Sequence, residues 1–199
     1  DENANYYGRI LMNELFSEGF LNEFIWCYRG MAIAENNYTR RHDTIFFYKN
    51  KNQNIFNWKD IADPLSETTI KKYKHEDENG RKFRLHGKNL KGSPIQNNTD
   101  IELKWLESNP ELCRVDYLDE KAGVKPKDWI QLDYLNVMSN EKIGFNTQKP
   151  EELIEKFIKA SSNENSIILD FFAGSGTTAI TAHRLNRKWI TIETGIHFN

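Results

Sequence analysis

Asp170, Gly174, Ser175, Gly176, Thr177 and Glu193 have the types and spacing to build one binding site. Two glycines within three residues permit a tight turn, and without a Cβ the backbone can approach a ligand closely. Thr177 and Thr178 then open a helix, whose unpaired N–H groups and dipole favour a negative group. Glu193 lies 23 residues after Asp170, a spacing at which a carboxylate closes the next strand and accepts from two ribose hydroxyls. The chemistry is recognition of a nucleoside-bearing cofactor.

The elements around these residues fit that role. Ser166 to Leu169 is a short apolar run suited to a buried strand, and Trp189 to Ile192 supplies the next one. Gly174 to Ala179 also satisfies the loose G-x-G-x-x-G/A dinucleotide pattern, so the string alone leaves the cofactor open. A phosphate-cradling P-loop is excluded, because the loop lacks a Gly-Lys-Ser/Thr ending. A purely structural turn is the bland alternative. Upstream, Pro150 suits the first position of a helix, with Glu151 and Glu152 in its first turn. Leu153 with Phe157, and Ile154 with Ile158, are i, i+4 pairs forming one buried stripe. Nearer the N-terminus, Asn13 to Phe16 closes a helix at Gly19, and Phe20 to Tyr28 and Asp43 to Tyr48 are of strand length. Residues 50–138 read as polar and loop-rich, which leaves about four strand candidates in all.

The segment Gly144-Phe145-Asn146-Thr147-Gln148-Lys149-Pro150, leading into a helix and then the Asp170–Thr178 loop, resembles S-adenosylmethionine-dependent amino-group DNA methyltransferases. The order matches the circularly permuted class in which the cofactor half comes last. Asp1-Glu2-Asn3, Leu11 to Phe16 and Glu23 to Trp26 resemble the segment downstream of that family's catalytic motif. Arg41 to Lys49 resembles its later strand-bearing motif. Gly80 to Leu85 and Lys91 to Pro94 look most like adenine methyltransferases of restriction–modification systems.

The resemblance implies an α/β fold: a partial Rossmann-like methyltransferase sheet with an inserted target-recognition region. Residues 1–49 and 139–199 would form the methyltransferase core, the latter binding S-adenosylmethionine, and 50–138 the recognition insert. Asp170 would face the cofactor's ammonium or order the loop, and Phe172 would line the cavity, where many relatives carry proline. Gly174, Ser175, Gly176 and Thr177 would contact the cofactor and Glu193 its ribose. Thr147, Gln148 and Lys149 would meet its carboxylate, unless they form a plain helix-entry loop.

Such enzymes also carry an Asp/Asn/Ser-Pro-Pro-aromatic motif that binds the target amine. The five prolines here are never adjacent. Asp63-Pro64-Leu65-Ser66 imitates it poorly and reads as a turn. His42 is structural or near the target pocket by the same analogy. No catalytic residue is therefore assigned within this chain. Because it starts at Asp inside a recognisable segment, a longer polypeptide with that motif upstream is expected. The truncated sheet is expected to be poorly soluble alone, or stabilised by another chain.

Composition narrows the class. Hydrophobic residues make up 38% and charged residues 28% of the 199 positions, which excludes a disordered chain. No apolar run reaches the ~18 residues of a membrane span, so a soluble cytoplasmic protein is expected. Cys27 and Cys113 lack metal-type spacing, and neither a metal site nor a disulfide is expected. The net charge is −2, yet eight Lys/Arg lie between Lys71 and Lys91 against Glu76, Asp77 and Glu78, a local excess of five. Lys72, Arg81, Lys82, Arg84, Lys88 and Lys91 are the candidate contacts to DNA phosphates, with a solvated basic loop as the alternative. Tyr73, Phe83 and His86 either pack in a small core or stack on DNA, and burial is favoured for the aromatics.

The expected activity is methyl transfer to N6 of adenine in a flipped-out base of double-stranded DNA, with N4 of cytosine as the alternative. A non-catalytic subunit needing a catalytic partner is a second reading. An oxidoreductase is disfavoured, since the second mononucleotide-binding half is missing. A restriction subunit or a second copy of the chain are further partners the resemblance allows.

Overall fold

The computed structural model describes residues 4–30, 36–50, 54–87, 104, 107–136, 138–145 and 147–195. The chain divides into two compact units, one of residues 1–61 with 126–199 and the other of 62–125. The second unit falls inside the stretch expected to be an insert.

In the first unit, α1 (Asn5–Leu15) leads through Gly19 into β1 (Phe20–Cys27), which pairs antiparallel with β2 (His42–Tyr48). Gly19 is needed there, because an added Cβ would sit 2.4 Å from the Lys49 carbonyl oxygen. In the second unit, a short helix, α2 (Glu67–Ile70), is capped by Ser66, whose Oγ accepts from Thr69 N at 3.2 Å. It precedes an antiparallel sheet of β3 (His75–Glu76), β4 (Lys82–Gly87) and β5 (Cys113–Tyr117), in that order. The chain then re-enters the first unit as β6 (Trp129–Gln131), parallel to β1. Thus the described residues of the stretch 50–138, which reads as loop-rich in sequence, contain four strands. β4 and β5 do alternate polar with apolar residues, the mark of a half-buried strand, whereas β3 and β6, two and three residues long, are too short to show any period.

Helix α3 (Glu151–Ser161) begins after Pro150, which caps it rather than entering it. Of the four residues of its expected stripe, two are buried, and Ile154 and Phe157 are half-buried. Leu153 and Ile158 are buried, and Leu153 joins Phe24 and Trp26 in the core, with Phe157 packed beside them. Phe24 and Trp26 are two apart on β1 and so share the face turned to α3. The Phe24 and Phe157 rings meet edge-on at 5.1 Å. The end of α3 is capped by side chains from elsewhere: Asn57 Nδ2 donates to the Lys159 and Ser162 carbonyls, and Arg187 donates to the latter at 2.9 Å.

The C-terminal segment is a strand–helix–strand unit. β7 (Ile167–Asp170) lies parallel to β8 (Lys188–Thr191), with α4 (Thr177–Arg184) between them in sequence. These two strands form a sheet separate from β2–β1–β6. The apolar run through Leu169 is also not buried. Ile167 is 63% exposed and Leu169 48%, as are large parts of Trp189, Ile190 and Ile192. Parallel strands are apolar on both faces because helices normally cover both. Here α4 packs against the pair, and these apolar side chains remain open.

Candidate functional site

The turn after β7 is built by its glycines. Gly174 and Gly176 have φ of +51° and +76°, in the left-handed region that L residues avoid. A Cβ on Gly174 would meet Phe145 Cε1 at 3.2 Å, whereas one on Gly176 would meet nothing within 4 Å. Gly176 therefore borders open space at the start of α4. Asp170, at the end of β7, accepts from Phe172 N through Oδ1 at 3.0 Å, so it orders the loop. Ser175 Oγ and Thr177 Oγ1 are 2.8 Å apart, and Thr177 is buried. Phe172 is 89% exposed, so its ring covers nothing within the described residues.

Glu193 lies two residues beyond the last residue of β8, not on the strand. Its Oε2 accepts from Gly174 N at 2.7 Å, and its Oε1 accepts from Thr194 N and Gly195 N at 2.9 and 2.8 Å. A carboxylate is thereby fixed at the rim of the glycine turn. The sequence spacing placed this acid near the turn, but its bond to the turn itself depends on the parallel register of β7 and β8.

The Thr147–Lys149 loop comes to the same region through Phe145, beside Gly174. Gln148 is buried and stitches the loop to itself: Oε1 accepts from Ile143 N at 3.1 Å and Nε2 donates to the Glu141 carbonyl at 2.6 Å. Thr147 is exposed. Lys149 reaches Asp43 at 3.6 Å. A cavity of about 560 Å³ also opens between β1, β2 and α3, lined by Phe24, Ile45, Phe47, Phe56 and Phe157. None of the glycine-turn residues lines it, and we assign it no part in the chemistry.

In the second unit, the basic candidates separate into two kinds. Arg81 donates to Asp119 through two nitrogens at 2.7 and 2.9 Å and to Glu120 at 2.8 Å, and lies 3.9 Å over the Tyr117 ring. Hydrogen bonds that it donates to Asp119 and then to Glu120 raise its pKa above the usual arginine range. Arg84 donates to Asp116 at 3.0 Å and stacks over Tyr73 at 4.8 Å. Asp116 is buried, which pushes its carboxyl up. Hydrogen bonds from Lys121 and Arg84 overcome that and hold it at about 2. Both guanidiniums are thus committed to carboxylates more than 30 residues away in sequence, which a local charge count cannot detect. Lys72 and Lys82 are exposed. Lys88, Lys91 and the His86 side chain lie outside the described residues. Tyr73 and Phe83 are buried, which favours the core reading of both. Among the described residues, no group of His, Cys, Asp and Glu could hold a metal ion, and no helix is long and apolar enough to cross a membrane.

Comparison with known proteins extends this geometry. The chain is 32% identical over 192 residues to the type II methyltransferase M1.MboII of Moraxella bovis, covering 94% of this chain and 64% of that protein. Over 76 residues it is 39% identical to the type II methyltransferase M.HpaI of Haemophilus parainfluenzae, covering 38% of this chain and 24% of that protein. The fold resembles the crystal structure of the M1.HpyAVI–SAM complex, with TM-score 0.51 and 19% identity over 99% of this chain and 66% of that one. It also resembles PvuII DNA methyltransferase (cytosine-N4-specific), with TM-score 0.54 and 14% identity over 96% of this chain and 52% of that one. The chain therefore spans less than two thirds of the length of both curated relatives. A family model described as DNA methylase matches residues 1–198, and with the glycine turn and its acid in place the chain belongs to the DNA methylase family.

Proposed function

We propose that this chain carries the cofactor-binding and target-recognition parts of a DNA methyltransferase that modifies N6 of adenine, within a restriction–modification system. The observation that supports it best is the Glu193 clamp on a turn made by two left-handed glycines. When bound, S-adenosylmethionine supplies the electrophilic methyl group. The chain's own residues hold and orient it. The Gly174–Thr177 backbone and the α4 N-terminus border the open space at Gly176, and Glu193 accepts from the ribose hydroxyls. Asp170 and Phe172 shape the turn, and the Thr147, Gln148 and Lys149 loop borders it.

Residues 62–125 are the proposed recognition part within an insert spanning 50–138, with exposed Lys72 and Lys82 contacting phosphates of duplex DNA. Arg81 and Arg84 support that surface instead, through their carboxylate partners. Lys88 and Lys91 complete the proposed set. Catalysis is then positioning of a flipped amine, with the hydrogen bonds to that amine coming from a motif this chain does not contain. The same geometry serves N4 of cytosine.

Two measurements test the reading. Calorimetric titration of this chain with S-adenosylhomocysteine should show one site, lost in Glu193→Ala. Transfer of tritiated methyl groups to duplex DNA by the complete polypeptide, with nucleoside analysis of the product, should give N6-methyladenine. N4-methylcytosine would redirect the substrate, and binding of DNA without any transfer would leave only a binding subunit.

A further inference from the structure

Lys149, its side chain 45% exposed, lies against an aromatic wall. Its Nζ lies 4.9 Å from the Trp26 ring centroid, 6.0 Å from that of Tyr134 and 3.6 Å from Asp43 Oδ2. Trp26 and Asp43 are direct partners across the β1–β2 ladder, so both side chains reach the same face. Tyr28 completes the wall, its ring 4.2 Å from Tyr134 and 5.4 Å from Trp26. The walls are fixed from behind. Trp26 is 1% exposed and donates its indole N–H to the Leu132 carbonyl at 2.6 Å. The Tyr134 hydroxyl donates to Asp43 Oδ2 at 3.4 Å. Burial, a hydrogen bond with Tyr28 and the Asp43 charge push the Tyr134 phenol above its ordinary range, so it stays a neutral donor.

The other side of this loop touches the glycine turn. Gln148 ties Ile143 and Glu141 into one folded segment, Glu141 accepts from Glu151 N at 3.3 Å, and Phe145 stands against Gly174. One end is thus seated on β1–β2 by Lys149, while the other end packs on the turn. A cation over aromatic rings beside a carboxylate is a directional attachment, and a neutral side chain of similar length cannot replace it.

We propose that Lys149 is a positioning residue for the glycine-turn site: seated among Trp26, Tyr28, Tyr134 and Asp43, it fixes the height of the 141–149 loop above Gly174 and does not itself contact the ligand. The proposal rests on reading that turn as the S-adenosylmethionine site. It differs in kind from carboxylate recognition by the lysine. If Lys149 were a direct ligand, Asp43 would compete for it, and removing Asp43 would tighten binding.

The test compares Lys149→Met, Lys149→Arg, Asp43→Asn and the Asp43→Asn/Lys149→Met double variant. S-adenosylhomocysteine affinity is read by calorimetry and hydrogen exchange of residues 141–151 by mass spectrometry. Lys149→Met and Asp43→Asn should each weaken binding about tenfold and speed exchange, the double variant should be no worse than Lys149→Met, and Lys149→Arg should stay within about threefold. Unchanged or tighter binding in Asp43→Asn, with a loss in Lys149→Met and no change in exchange, would make Lys149 a direct ligand and overturn the proposal. If the parent chain binds no S-adenosylhomocysteine, the cofactor reading fails, and exchange alone decides the latch. Faster exchange in both single variants supports it, and unchanged exchange overturns it.

Discussion

The carboxylate of Glu193 accepts a 2.7 Å hydrogen bond from the backbone N–H of Gly174, tying the segment after β8 to the turn after β7. One acid therefore shapes the turn and presents itself at its rim. Glu193→Gln keeps the shape but converts one acceptor oxygen into a donor, which cannot receive a hydroxyl or amide proton. We expect at least tenfold weaker S-adenosylhomocysteine binding and a melting temperature several degrees below the parent, because the new amide NH2 group must face a backbone N–H and hydrogen bonds to charged groups contribute about 1.5–3 kcal/mol. Calorimetry beside thermal melting checks this.

The two glycines should respond differently to alanine. At Gly176 the methyl group enters open space, so only the left-handed backbone opposes it, costing about 1 kcal/mol. At Gly174 the same backbone cost is joined by a 3.2 Å contact with Phe145. Gly174→Ala is expected to lower stability by about 2 kcal/mol, and Gly176→Ala by about half that, while still impairing ligand binding. Urea unfolding of both variants separates the two effects.

Asp116 makes the second unit acid-sensitive. Its carboxyl stands at about 2 when folded against 3.8 unperturbed. A depressed folded value contributes stability above the unfolded pKa, and the contribution is lost as pH falls from about 4 toward 2. The effect is on the order of 2 kcal/mol. Asp116→Asn should flatten the dependence between those pH values. An unchanged acid profile, monitored by circular dichroism, would remove Asp116 from this role.

Salt dependence distinguishes the basic residues. Lys72→Ala and Lys82→Ala should each reduce the slope of log K against log salt for duplex DNA by about 0.9, uniformly across sequences. Arg84→Ala should act on the fold, because it withdraws a partner from buried Asp116. A loss of about 2 kcal/mol in stability is expected for it. Fluorescence anisotropy over a salt series, with melting curves alongside, checks both.

The open face of β7–β8 predicts self-association. Leu169 and Ile190 are paired neighbours on adjacent strands, 48% and 52% exposed. Exposed apolar patches of this kind drive association. Replacing both with Thr keeps strand propensity and should reduce light scattering of the isolated chain without lowering its melting temperature. A parent chain that stays monomeric at high concentration would contradict this.

What the sequence determined was local. The glycine turn, the start of α4, the stripe of α3 and the lengths of β1 and β2 arise from nearest-neighbour chemistry: backbone freedom, the missing N–H of proline, and the 3.6-residue period. Tertiary structure decided everything that depends on distant partners. Arg81 and Arg84 show only their charge in the sequence, and their pairing with Asp119 and Asp116, more than 30 residues away, is set by the fold. Lys149 shows only its charge in the sequence, and its place over Trp26 and beside Asp43 depends on β1 and β2. The apolar run of β7 promised burial, yet burial requires a covering layer, and no pattern within a strand says whether that layer is present. Charge and hydrophobicity are properties of a residue; neutralisation and burial are properties of its neighbours.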